Sequence, residues 1–102
     1  MDKRKSEIIR KLKEFKEENQ IQKMIFFGSR TGSNYNKYSD IDLIIISSKF
    51  KKLKSFQRST TIRLKWNLKY PVDMLCYTPE EFEIKKRTPS IVKEAVETGI
   101  EI

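Results

Sequence analysis

The sequence predicts an α/β chain: one small mixed sheet with helices packed on it. Three observations carry this. Short apolar runs at Lys23 to Phe27, 41 to 47 and 71 to 77 alternate with longer stretches at helical spacing. Gly, Pro and Ser-Asn clusters separate them. With 37% apolar residues, a chain of 102 residues can bury one modest core, so a single domain over 1–102 is expected.

In order, Asp2 to about Asn19 reads as an amphipathic helix with Ile8, Ile9, Leu12 and Phe15 on one stripe. "KMIFF" follows as a short buried strand stopped by Gly28, from which a helical turn is expected to start. Residues 32–39, rich in Gly, Ser, Asn and Tyr, read as a loop, and residues 41–47 as an Ile-rich strand. About Leu53 to Leu68 reads as a helix burying Leu53, Phe56, Thr60 and Leu64. Its solvated face would carry Lys51, Lys52, Lys54, Arg58, Arg63 and Lys65. Pro71 opens a third strand, in which Val72, Met74 and Cys76 alternate with Asp73, Leu75 and Tyr77. "TPEE" is a helix start, with Thr78 as N-cap, Pro79 in the first turn and Glu81 three after the cap. A last helix spans Ser90 to Thr98, stopped by Gly99, and "IEI" closes as a short strand or frays.

Composition limits the chemistry. The net charge of +8 suits phosphate-bearing or acidic partners, but a lysine-rich solvated surface accounts for it equally well. One cysteine, Cys76, rules out a disulfide within the chain and fits a reducing compartment. With no histidine, carboxylates, Lys, Tyr or a metal must do any catalysis. No apolar run reaches membrane-spanning length and the N-terminus is not a signal peptide, so the expected location is the cytoplasm.

Against this background, Asp40 and Asp42 stand out at the mouth of an intensely apolar strand. Residues two apart share a strand face, with Cβ atoms roughly 6–7 Å apart. Two carboxylates so placed repel by roughly 2–3 kcal/mol at an effective dielectric near 20. A hard divalent cation offsets this well, since Mg²⁺ takes one or two carboxylates and fills its other positions with water and phosphate oxygens. Asp73, again an acid among apolar strand residues, can join them if its strand pairs beside 41–47. Three acids within metal-bridging distance would make a two-metal site for phosphoryl transfer. The Gly28-Ser29 turn supplies a complementary phosphate cradle, with Arg30 near enough to assist. Each feature alone has a plain structural reading: a common turn, a loop boundary, and a pairing of Asp73 with Lys69 or Arg63. Their combination favours a site.

At these residues the chain resembles the nucleotidyltransferase superfamily typified by DNA polymerase beta, and most closely its minimal members, often encoded beside HEPN-domain proteins. The family signature is Gly-Ser, ten residues, then Asp-x-Asp; here Gly28-Ser29, residues 30–39, then Asp40-Ile41-Asp42. Asp73 matches the third family acid, while Gly32 falls one place earlier than the family's second glycine. The resemblance covers nearly the whole chain and implies a polymerase beta-like core. It also implies Mg²⁺-dependent transfer of a nucleoside monophosphate from a triphosphate, with ATP as donor. It makes Asp40, Asp42 and Asp73 catalytic metal ligands holding two ions, Asp73 also helping to deprotonate the acceptor. Gly28, Ser29 and Arg30 would bind the nucleotide. It further implies an antitoxin of a toxin–antitoxin system that adenylylates a HEPN ribonuclease toxin.

With no accessory domain expected, a partner protein is the expected acceptor rather than a nucleic acid, and a homodimer is compatible. Trp66, Tyr70, Tyr35 and Tyr38 are candidate contact residues, although core packing explains them equally well. The competing reading is a non-catalytic antitoxin that neutralises its partner by contact alone. A small RNA- or DNA-binding module ranks last, for want of an aromatic RNA-binding signature or a helix-turn-helix pattern.

Overall fold

A computed structural model describes residues 3–28 and 40–102. The elements run α1 (Lys3–Glu18), β1 (Lys23–Phe27), β2 (Ile41–Ile46), a 3₁₀ turn (Ser48–Lys52) and α2 (Ser55–Arg63). They continue through β3 (Val72–Tyr77), α3 (Pro79–Lys85), α4 (Ile91–Thr98) and β4 (Ile100–Glu101). Among the described residues the strands form one mixed sheet in the order β3-β2-β1-β4. β1 lies antiparallel to both β2 and β4, and β2 lies parallel to β3. The expected fold class holds, and the "IEI" segment does close the sheet. The expected helical turn after Gly28, the loop at 32–39, and the residues Ser29, Arg30, Tyr35 and Tyr38 lie outside the described residues.

β2 is central and apolar on both faces, as a strand covered from both sides must be. Its two faces feed two apolar clusters. Leu43 and Ile45 join Met24, Phe26, Val72 and Met74 beneath Ile8, Leu12 and Phe15 of α1 and Ile62 of α2. Ile44 and Ile46 join Ile25 beneath Phe82 of α3 and Val92 and Ala95 of α4. Each such fully buried side chain contributes about 1.5–3 kcal/mol of transfer free energy. Trp66 packs edge-on against Phe15, with centroids 5.1 Å apart, and donates from Nε1 to the Tyr70 carbonyl at 2.8 Å. Core packing therefore accounts for Trp66 and Tyr70. No helix among the described residues is long and apolar enough to cross a membrane.

The N-terminal signal of α3 is realised in full. Thr78 Oγ1 accepts from the Glu81 amide and Glu81 Oε1 accepts from the Thr78 amide, with Pro79 opening the helix. Ser90 caps α4 and Gly99 ends it.

The expected helix over 53–68 is shorter and turned about its axis. Phe56 and Leu64, expected inside, are 70% and 83% exposed; Arg58, expected in solvent, is 8% exposed. The inward pair is Arg58 and Ile62, one helical turn apart. A buried guanidinium is tolerable only when its donors are satisfied. Arg58 donates to Glu81 through both terminal nitrogens, at 2.6 and 3.3 Å, and to the carbonyls of Leu53 and Cys76. That fork holds Glu81 well below the usual carboxylate range. It ties α2 to α3 across the outer edge of β3.

Candidate active site

The β2–β3 register decides the site. Asp42 and Asp73 are direct partners on adjacent parallel strands, and Phe27 of β1 sits opposite Asp42 on the other side. Both acids lie on the face that carries Ile44, Ile46 and Leu75, beside α4. There the sheet floor opens into a cleft of about 510 Å³. Phe27, Leu75, Ile91 and Ala95 form its apolar wall, while Asp42, Asp73 and Glu94 supply carboxylates and Thr98 a hydroxyl.

Gly28 follows β1 with φ +86°, a left-handed conformation that side chains strongly disfavour. A Cβ built there would run into Asp42 Oδ2 and stand 3.0 Å from Asp42 Cγ. The glycine thus does two things at once: it permits the turn and leaves room for the Asp42 carboxylate against its Cα. The Gly28 backbone and the second acid of Asp-x-Asp are in contact, although 14 positions apart in sequence.

The charge balance is unfavourable to the bare acids. Burial pushes the Asp42 carboxyl above its ordinary value, and the charges of Asp73 and Asp40 push it further in the same direction. Asp40, exposed and immediately before β2, therefore acts on Asp42 through its field. Asp73 is exposed and meets Arg63 at only 3.8 Å, a surface pair worth ~0–1 kcal/mol that leaves its carboxylate available. The expected alternative pairing with Arg63 is therefore present, but loose.

Among the described residues no set of three or more acids or cysteines is arranged to hold a metal ion. The sheet brings Asp42 and Asp73 together, with Asp40 beside them in the field of Asp42. Their donor set is all hard oxygen, and one or two such carboxylates plus substrate phosphates are what Mg²⁺ requires. No basic side chain lines the cleft among the described residues, so a polyphosphate there needs cations to offset three carboxylates. On both counts the residues present fit a divalent cation.

Cys76, half-buried on β3, lies outside the residues that line the cleft, and burial pushes its thiol up to about 11. Glu94 and Thr98 were missed by sequence reasoning. Ile91, Glu94, Ala95 and Thr98 stand at i, i+3, i+4 and i+7, a single helix face. Glu94 and Thr98 are themselves exposed and flank the buried Ala95, so burial periodicity alone gave no signal for them.

Comparison with known proteins points to one family. A protein of Methanocaldococcus jannaschii assigned as a protein adenylyltransferase is 28% identical over 102 residues, covering 94% of this chain and 99% of its own. The crystal structure of a Sulfolobus solfataricus protein assigned as a nucleotidyltransferase superposes with a TM-score of 0.61 at 23% identity. That match covers 83% of this chain and 77% of the other, and it shows a shared fold. Residues 8–102 match the family described as nucleotidyltransferase domain, and the chain belongs to that family of enzymes.

Proposed function

We propose that the chain is a Mg²⁺-dependent protein adenylyltransferase that moves AMP from ATP to a hydroxyl of a partner protein. The partner class we favour is a HEPN ribonuclease toxin, which makes the chain an antitoxin. The observation that carries the reading is the parallel register placing Asp42 beside Asp73, with Gly28 against Asp42 at the floor of one cleft. The name of the Methanocaldococcus relative supports protein as the acceptor class.

Asp40, Asp42 and Asp73 would hold the divalent cations, and Ser29 and Arg30 would join Gly28 at the triphosphate. Bound there, the metal supplies charge neutralisation on the phosphates and lowers the pKa of a coordinated hydroxyl. The chain's own groups do the rest. Gly28 lets the backbone approach the phosphates closely. The apolar wall of Phe27, Leu75 and Ala95 excludes water from one side of the cleft. Asp73, on an outer strand and open to solvent, faces the acceptor and takes up its proton. The acceptor oxygen bonds to the α-phosphorus of ATP, the bond from that phosphorus to the bridging oxygen breaks, and pyrophosphate leaves with the electron pair.

The test is transfer of label from α-³²P-ATP to a HEPN ribonuclease co-purified with the chain. The expected result is a labelled partner, with label and ribonuclease neutralisation both lost in Asp42→Ala. A variant that still neutralises the ribonuclease without labelling it would overturn the reading in favour of contact alone.

A further inference from the structure

α2 turns an apolar stripe outward. Its buried residues are Arg58 and Ile62, which leaves Phe56, Thr60, Arg63 and Leu64 exposed along the helix and its C-cap. These stand at i, i+4, i+7 and i+8, one face, with Phe56 and Leu64 about 12 Å apart along the axis. Both are large apolar side chains open to water, and neither belongs to either apolar cluster. Apolar side chains held in water within a rim of charge mark interaction surfaces.

Here the rim has one sign. Between Asp42 and Asp73 the chain contains no acid, against eight Lys and Arg. Acids from elsewhere engage three of them: Glu80 pairs with Lys51, Glu81 with Arg58 and Asp73 with Arg63. Lys52 and Lys54 before the helix and Lys65 after it are exposed and form no ion pair among the described residues. Cations gathered without counter-charges repel one another, and carboxylates brought by a partner relieve that. The stripe also leads to the active site. Arg63, on it, reaches the Asp73 carboxylate at 3.8 Å, and Asp73 lines the cleft.

We propose that the outward face of α2 is the docking surface for the acceptor protein, which meets it with an acidic surface around an apolar centre. Phe56 and Leu64 anchor the contact, and the lysines at both ends of the helix steer and orient it. A carboxylate of the partner takes Arg63 over from Asp73, so docking frees the acid that accepts the proton. The lysines alone would suit a nucleic acid, but Leu64 has no ring to stack on a base, whereas an apolar protein surface covers it. This rests on the reading of the chain as a protein adenylyltransferase.

The test follows label transfer from α-³²P-ATP to the co-purified HEPN ribonuclease over a range of ribonuclease concentrations. One variant carries Phe56→Ser with Leu64→Ser, the other Lys52→Glu with Lys65→Glu; all four side chains are exposed, so the fold is spared. Each variant should raise KM for the ribonuclease about tenfold or more, with kcat at saturation and stabilisation by Mg²⁺-ATP as in wild type. Added salt should raise the wild-type KM, and raise it less in the lysine variant. An unchanged KM in either variant overturns this docking surface and leaves adenylylation standing. Binding of fluorescent oligothymidylate that is lost with the lysines, while KM for the ribonuclease stays put, assigns the face to nucleic acid and overturns it too. If wild type labels no ribonuclease, the adenylylation reading itself fails.

Discussion

Asp42→Asn is expected to cripple nucleotidyl transfer and, in metal-free buffer at neutral pH, to raise the melting temperature. The two effects share a cause. Asp42 is half-buried beside Asp73 and in the field of Asp40, so its folded-state pKa lies above its unfolded value. The folded chain then binds more protons than the unfolded chain between those two values, and stability falls as pH rises through that window. Above it the full penalty of the ionised carboxylate persists. The amide removes that penalty. Like charges directly opposite on neighbouring strands cost ~0.2–1 kcal/mol, equivalent to about 1–6 °C for a chain of this size. The advantage of the variant should shrink as pH is lowered through the window, because wild-type Asp42 is then protonated as well. Transfer should fall on the order of 10³-fold, the loss typical when a stabiliser of transition-state charge is removed. Melting curves in chelator across pH, read beside label transfer, check both halves. A variant that melts lower at pH 7, or that transfers normally, contradicts this account of the site.

Gly28→Ala should be the second most damaging small change. Residue 28 sits at φ +86°, and a methyl there meets the carboxylate of Asp42. Holding a side chain in that backbone region costs ~1–3 kcal/mol. Relieving the contact must move Asp42, and a displacement of about 1 Å at a reacting centre is enough for a loss on the order of 10²-fold. Urea unfolding separates the two causes. In the Asp42→Ala background the same substitution should cost less, because the clash is gone and only the backbone strain remains. Equal costs in both backgrounds would show that the glycine does not make room for the acid.

The difference between what the residues foretold and what they hid is physical. Strand faces follow from a period of two, so the shared side of Asp42, Ile44 and Ile46, and of Asp73 and Leu75, could be read directly. The cap at Thr78 is a local hydrogen bond between residues three apart, and it formed as expected. α2 was misread because its sequence offers two apolar choices. Leu53, Phe56 and Leu64 have helical spacing, yet the buried stripe is Arg58 and Ile62. What decides the matter is Glu81, more than 20 residues away, whose carboxylate satisfies the buried guanidinium. No local pattern reports such a pairing. The register between β2 and β3 is hidden for the same reason, since it is set by the crossover through α2. The acids announced a site, but only that register could put Asp73 beside Asp42.

In the proposed mechanism Gly28, Asp42 and Asp73 build a nucleotide site completed by a divalent cation. Thermal unfolding of wild type and Asp42→Ala during ATP titration, with and without Mg²⁺, tests it without knowledge of the acceptor. A ligand that binds only the folded chain stabilises it by ~2.7 kcal/mol at a hundredfold excess over its Kd. The expected result is a rise in melting temperature that requires Mg²⁺ with ATP and is lost in the variant. An equal rise in both proteins, or one independent of Mg²⁺, would place the nucleotide elsewhere and contradict it.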